Sequence, residues 1–309
     1  MEKLTRCPAC NSAQFNSFIK TKSQMHDGKE RFNFDQCENC GLVFLNPRVP
    51  ESDLGKYYTS YYLPYRVEEA WGKYAHFVEE SQKGIDKKRV ATINKFHPIN
   101  IGSKILDVGC GKPTFLKAIQ EKINCHLFGL DFSDEGWKNE PDKYAGINLQ
   151  KGDIDDLDTT IKMDAITMWH YLEHDYRPQK NLRKLLKIAH PKTRLIIEVP
   201  NFDSHTRKKF GENWAGYHTP RHTGLYSPNN MEVLLNNAGW KVEKIYSYGT
   251  LDPYTLRWMS RMEKRGIDWQ KSMEDEFVGY VANMVLTAPL YLLHKNISLG
   301  FMTAVATPK

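Results

Sequence analysis

At 309 residues, with 40% hydrophobic and 26% charged side chains, the chain has the composition of an ordinary globular protein with room for one α/β domain and a smaller unit. Its formal charge of +6 is spread over both flanks and is missing from the middle third. Short basic runs occur only at Lys87–Arg89 and Arg207–Lys209, which favours solvated surface over a phosphate-tracking stripe and disfavours nucleic acid as a partner. The start MEKLTRCPAC lacks the apolar core of a secretory signal, so a cytoplasmic protein is expected.

In chain order, Cys7-Pro-Ala-Cys10 and Cys37-Glu-Asn-Cys40 come first, two C-x-x-C pairs separated by 26 residues. Four thiolates from two such turns can close a tetrahedral Zn²⁺ shell, and a segment this short cannot fold by core burial alone. A disulfide pair or a redox C-x-x-C is the competing reading, disfavoured in a chain without an export signal. Residues 1–46 are therefore expected to be a zinc ribbon, structural because a closed four-cysteine shell has no open position. Cys110 and Cys125 are read as packed thiols.

Leu42–Leu45 reads as the last ribbon strand, ended by the prolines at 47 and 50, with a short helix from Glu51. Tyr57, Tyr58, Tyr61, Tyr62 and Tyr65 are read as an aromatic cluster that packs the ribbon onto the main domain, with pocket lining as the alternative. Trp71–Phe96 is predicted as one helix, which makes 47–98 a helical cover for a domain over 99–309.

From Lys104 short apolar runs alternate with helical segments, the pattern of a parallel sheet covered on both faces. Strands are predicted at Lys104–Val108, His126–Leu130, Gly146–Gln150, Asp164–Trp169, Arg194–Val199 and Trp240–Tyr248. Helices are predicted at Thr114–Lys122, Gln179–Ala189 and Pro228–Asn237. The stretch ILDVGCGKPTFLKAI, Ile105–Ile119, reads as strand, tight turn through Gly109 and Gly111, and a helix with Pro113 at its first position. Such turns bring backbone amides close to a ligand, and ligands bind beyond the carboxyl ends of the strands. Asp107, Asp131 and Asp153 stand at three successive strand ends, where carboxylates can accept ribose hydroxyls or an adenine amino group.

ILDVGCG, GLDFS, KGDI and AITMWHYLEH resemble the motifs of class I S-adenosylmethionine-dependent methyltransferases. The two C-x-x-C pairs, CGLVFLNPR and WAGYHTPRHTGLYSP further resemble a zinc-ribbon-bearing subgroup that often acts in the biosynthesis of surface sugars, lipids or pigments. The resemblance implies a Rossmann-like seven-stranded sheet whose last, antiparallel strand is Ser298–Thr307. It implies that Asp107, Gly109, Gly111, Asp131, Phe132, Asp153, Ile154 and His170 hold S-adenosylmethionine. Lys112-Pro113 departs from the family's usual small residues, and the missing proline amide is expected to weaken or re-angle cofactor binding.

Methyl transfer needs positioning, and a base only where the acceptor carries a proton to lose. Two clusters supply candidates: His170, Tyr171, Glu173 and His174 after the fourth strand, and Tyr217, His218, Arg221 and His222 after the fifth. His222, His218, Tyr217 and His174 are the catalytic candidates, while Arg221 and Arg207–Lys209 could hold a phosphate or carboxylate of the acceptor. A catalytic metal among these histidines is disfavoured, because the strand end at His170 breaks the helical spacing to His174.

Residues 250–296 form a long insertion before the last strand. Its uncharged segment 277–293 is slightly short for a membrane span and reads as a helix packed through Phe277, Tyr280, Val281, Met284, Val285 and Ala288. A lid over an apolar acceptor or a face resting on a membrane is the alternative. The expected function is methyl transfer to a small metabolite, a sugar nucleotide ahead of a lipid or quinone-like acceptor or RNA. A scaffold with a decayed cofactor loop is the non-enzymatic rival.

Overall fold

The computed structural model describes residues 1–58, 63, 66–291 and 297–309. Tyr61, Tyr62, Tyr65 and the end of the 277–293 segment lie outside the described residues. The chain begins with three antiparallel strands, β1 (Phe15–Lys22), β2 (Arg31–Cys37) and β3 (Val43–Leu45). Each C-x-x-C closes as a tight turn in which the Asn11 amide donates to the Cys7 carbonyl and the Gly41 amide to the Cys37 carbonyl, both at 2.9 Å. Asn11 and Gly41 take positive φ of 63° and 73°, a region these two residue types enter with little strain.

Two helices follow, α1 (Val67–Trp71) and α2 (Ala75–Phe96). The single helix expected over Trp71–Phe96 is interrupted by a 3₁₀ turn at Gly72–Tyr74. Gly72 has φ +46°, and a Cβ there would lie 1.5 Å from the Glu274 carboxylate, so the close approach of the insertion sets the break.

The remaining elements are β4 (Lys104–Val108), α3 (Thr114–Gln120), β5 (His126–Asp131), β6 (Asn148–Lys151), β7 (Met163–Trp169), α4 (Pro178–Leu185) and β8 (Ala189–Pro200). They continue with α5 (His205–Phe210), β9 (Gly224–Leu225), α6 (Pro228–Asn237), β10 (Trp240–Tyr246), α7 (Pro253–Arg265), α8 (Glu274–Tyr291) and β11 (Phe301–Pro308). Seven strands form one sheet in the order β10-β11-β8-β7-β4-β5-β6. β11 runs antiparallel to both its neighbours and the other ladders are parallel, which is the seven-stranded arrangement the resemblance implies. Alternate residues of the central strands face opposite cores: Leu106, Ile166 and Ile197 pack with Leu182, Leu185 and Met231, while Ile105, Ala165 and Ile196 pack with Val90, Ile93 and Phe115. Burial on both faces explains their continuous apolar character.

Two expectations need correction. Helix α3 starts at Thr114, and Pro113 sits one position earlier as its N-cap with ψ 44°. In α8 the inward positions are Phe277, Tyr280, Asn283 and Thr287, following the buried Met273 just before the helix, whereas Val285 is 62% exposed and Ala288 is exposed as well. Asn283 accepts from Arg257 and donates to the Tyr254 carbonyl, so polar pairing rotates the helix away from the face that hydrophobicity alone selects.

The cysteine-bearing sheet is completed from far along the chain. β9 pairs antiparallel with β3, Val43 opposite Leu225 and Phe44 opposite Gly224. The loop before β9 is pinned to the same sheet by Leu45 N–H to Thr223 O at 3.0 Å, Gln24 N–H to Thr219 O at 2.9 Å and a hydroxyl pair, Thr21 with Thr219, at 2.7 Å.

Candidate functional site

The four cysteine Sγ atoms lie within 4.8 Å of one another, with Cys7–Cys40 at 3.6 Å and Cys10–Cys37 at 3.5 Å. A disulfide needs about 2.05 Å, whereas the edges of a Zn–S₄ tetrahedron with bonds of about 2.3 Å measure about 3.8 Å. The donor set therefore suits a four-coordinate soft cation. Cys110 and Cys125 are buried and free.

A second group of side chains collects at the carboxyl ends of β4, β5 and β7, around the point where the strand order diverges from β4. The Asp131 carboxylate accepts the Gly111 amide at 2.8 Å and the Ser133 amide at 3.0 Å, which leaves lone pairs on both oxygens. Gly111 has φ +47° and open space where a Cβ would stand. Gly109 has φ +74°, and a Cβ there would meet the Tyr171 ring at 2.4 Å, so the ring of Tyr171 covers this turn. Phe132 is 67% exposed beside Asp131, an aromatic face open to a ligand. Ile154 is fully buried beneath, and Asp153 caps its amide while pairing with Arg177 at 2.7 Å.

Asp107 lies behind this surface and accepts the Thr167 hydroxyl at 2.6 Å. Burial pushes its carboxyl up to about 7, against Thr167 and Arg89. An unfolded aspartate titrates near about 3.9, so the folded chain holds an extra proton between about pH 4 and 7, and stability falls as pH rises through that window. The melting midpoint is accordingly expected to drop from pH 5 to pH 8, and less steeply in Asp107→Asn. Scanning calorimetry at both pH values checks this; an equal drop in both proteins would reject it.

β7 ends at Trp169, as expected, and His170 turns the chain with φ +58°. Its Nε2 donates to Glu198 at 3.0 Å and its Nδ1 stands 3.4 Å from Glu173. Burial opposes a charge on this ring, but the two carboxylates outweigh it and push the imidazole up to about 9. Glu198, fully buried at the end of β8, also accepts the Thr250 and Leu251 amides at 2.6 and 3.2 Å. It received no role from sequence, where the only signal was an acid inside an apolar strand.

The two predicted clusters meet. His174 and His222 have ring centroids 4.5 Å apart at 87°, and His218 lies 4.8 Å from His222. His218 takes left-handed φ of 42°, and His222 Nδ1 donates to the Gly216 carbonyl at 2.9 Å. Burial pushes His174, His218 and His222 below the ordinary histidine value, the latter two well below. Tyr58, from the segment expected to pack the ribbon, reaches over this group, its hydroxyl 3.2 Å from His174 Nδ1 and its ring 6.3 Å from Phe132.

Tyr217 is placed differently. It is fully buried against Phe34 and Trp214, in the core between the cysteine-bearing sheet and the main domain. Arg221 corrects an expectation: it is fully buried, and its guanidinium donates to the Tyr57 and Gln24 carbonyls, so it ties chain segments together and does not face an acceptor.

The methyltransferase domain family matches residues 74–245 of the chain. Among solved structures, the chain is similar to mycolic acid cyclopropane synthase CmaA1 complexed with SAH and CTAB, at 15% identity and TM-score 0.48 over 71% of this chain and 84% of that one. It is similar to coclaurine N-methyltransferase bound to N-methylheliamine and SAH, at 14% identity and TM-score 0.46 over 72% of each chain. An S-adenosylmethionine-dependent methyltransferase from Mesorhizobium loti is similar at 14% identity and TM-score 0.43, over 68% of this chain and 93% of that one. No curated protein matches.

Proposed function

This chain belongs to the methyltransferase domain family and carries a class I, S-adenosylmethionine-dependent domain, and we propose that it methylates a small metabolite, a sugar nucleotide or a related biosynthetic intermediate. The convergence of His174, His218 and His222, joined to the Asp131–Phe132 surface through Tyr58, is the observation that carries this reading. The cofactor fits that surface: Asp131 has lone pairs for ribose hydroxyls, Phe132 an exposed face, and Gly111 open space. S-adenosylmethionine supplies a methyl carbon already activated by a sulfonium, so the acceptor needs a lone pair and, where protonated, a group that takes its proton.

His218 is the group we assign to that proton, because it is half-buried at the edge of the cluster while His222 is buried and tied to Gly216. Tyr217 acts from behind, holding the loop through its aromatic contacts. The four thiolates hold Zn²⁺, with a structural role.

A second reading, contact with an apolar acceptor or membrane surface, rests on α8, where Val278 and Leu286 are 70% and 77% exposed. No helix among the described residues is long and apolar enough to cross a membrane.

Calorimetry with S-adenosylhomocysteine is expected to show one site per chain, and absence of binding at millimolar ligand would end the reading. Turnover with a panel of nucleoside-diphosphate sugars is expected to fall about 10²-fold or more in His218→Ala with cofactor affinity retained. Equal turnover in both proteins would remove His218 from the role.

A further inference from the structure

Glu173 presents a problem of buried charge. Its side chain is 2% exposed, and neither carboxylate oxygen has a hydrogen-bond partner. The nearest cation, His170 Nδ1, is 3.4 Å from Oε1 without hydrogen-bond geometry, and that ring already donates its other nitrogen to Glu198 at 3.0 Å. One imidazolium between two buried carboxylates balances only one of them and leaves the Glu173 oxygens without a donor, and an ion is one of the few explanations for such a group in a native fold.

The neighbours of Glu173 have the form of metal ligands. One donor atom each from Glu173, His174 and His222 lie within 4.8 Å of one another. His174 Nδ1 is 3.2 Å from the Arg221 carbonyl, and His222 Nδ1 is 2.9 Å from the Gly216 carbonyl. A carbonyl oxygen only accepts, so each ring carries its proton on Nδ1 and presents an Nε2 lone pair. Tying one nitrogen to a carbonyl while the other ligates is the usual way a protein orients a metal-binding histidine. The backbone holds the two contributing segments in register, Thr223 N–H donating to the Glu173 carbonyl at 2.7 Å. The spacing argument against a metal falls away here, because Glu173 and His174 stand on a 3₁₀ turn and the third ligand arrives from a distant loop.

We propose that Glu173, His174 and His222 bind a first-row divalent cation with an open coordination position, a site distinct from the four-cysteine cluster. Two imidazoles and a carboxylate suit Zn²⁺ or Mn²⁺, and three protein ligands leave room for water or substrate. The open position would take an oxygen of the acceptor, which makes that acceptor a hydroxyl-bearing molecule; this second half rests on the methyltransferase reading, and the first does not.

The test uses the full chain with its four-cysteine metal in place and neither cofactor nor acceptor added. Mn²⁺ is the probe, because a tetrathiolate site discriminates against it. Electron paramagnetic resonance is expected to show about one bound Mn²⁺ per chain, with affinity at least ~100-fold weaker in Glu173→Gln and in His222→Ala. Water-proton relaxation is expected to show exchangeable water on the bound ion. No uptake by the unaltered chain at millimolar Mn²⁺, and none of Zn²⁺ beyond the cysteine-bound equivalent by elemental analysis, would overturn the site and leave Glu173 as the counter-ion of His170. Undiminished binding in a natively folded Glu173→Gln would overturn the ligand set, and bound Mn²⁺ without exchangeable water would overturn the acceptor half. Calorimetry with S-adenosylhomocysteine on the same sample separates each of these from a failure of the methyltransferase reading.

Discussion

If the four cysteines hold zinc as proposed, serine in place of Cys37 is expected to abolish its binding and to cut turnover by roughly 100-fold or more, although Cys37 lies in a different sheet from the Asp131 surface. Structural zinc sites contribute about 10–16 kcal/mol as folding free energy, as much as the whole stability of a typical domain. The short β1–β3 sheet cannot replace that by burial. Its loss travels by hydrogen bonds: β3 holds β9 through Val43 and Phe44, Leu45 holds Thr223, and Gln24 holds both Thr219 and the Arg221 guanidinium. His218 and His222 stand inside that pinned segment. Hydrogen exchange is therefore expected to rise in 15–45 and 214–226 together, with β4, β5 and β7 still protected. Removal of the metal by a strong chelator should reproduce the pattern. Exchange confined to 15–45, with turnover retained, would show that the cluster supports only its own sheet.

Alanine at Asp131 is expected to weaken S-adenosylhomocysteine binding by roughly 10²- to 10³-fold. A carboxylate that accepts two ribose hydroxyls makes two charge-assisted hydrogen bonds at about 1.5–3 kcal/mol each, and about 1.4 kcal/mol corresponds to a factor of ten. The same change frees the Gly111 and Ser133 amides, so part of the loss comes from a looser glycine turn. Asp131→Asn separates the two contributions: its amide oxygen can still accept one of those N–H groups, while the charge is gone. Calorimetry on both variants measures the difference. An affinity within threefold of the original in Asp131→Ala would place the ribose elsewhere.

Much of the backbone frame of the candidate site was legible in residue order because its carriers are local. β4 spans Lys104–Val108 and α6 spans Pro228–Asn237 as predicted, and β7 ends at Trp169 so that His170 begins the turn. Strand-end acids and turn glycines can be located from alternation and spacing alone. The partner of β3 could not, because Gly224–Leu225 is two residues long and has no periodicity of its own. Arg221 misled for a related reason: a basic residue beside two histidines looks like an anion clamp until its neighbours are known to be the carbonyls of Gln24 and Tyr57.

By itself the sequence determined most strands and helices of the seven-stranded domain, though not α5, α7 or β9, together with the cysteine pairs and which acids stand at strand ends. Each depends on contacts within a few residues or on a repeat of two or 3.6 positions. The tertiary structure alone decided that the cysteine-bearing sheet and the histidine loop share a hydrogen-bonded ladder, that Glu198 and Glu173 flank His170, and that Glu173 meets His174 and His222. These depend on burial, which removes water from polar groups far apart in the chain and obliges them to find one another.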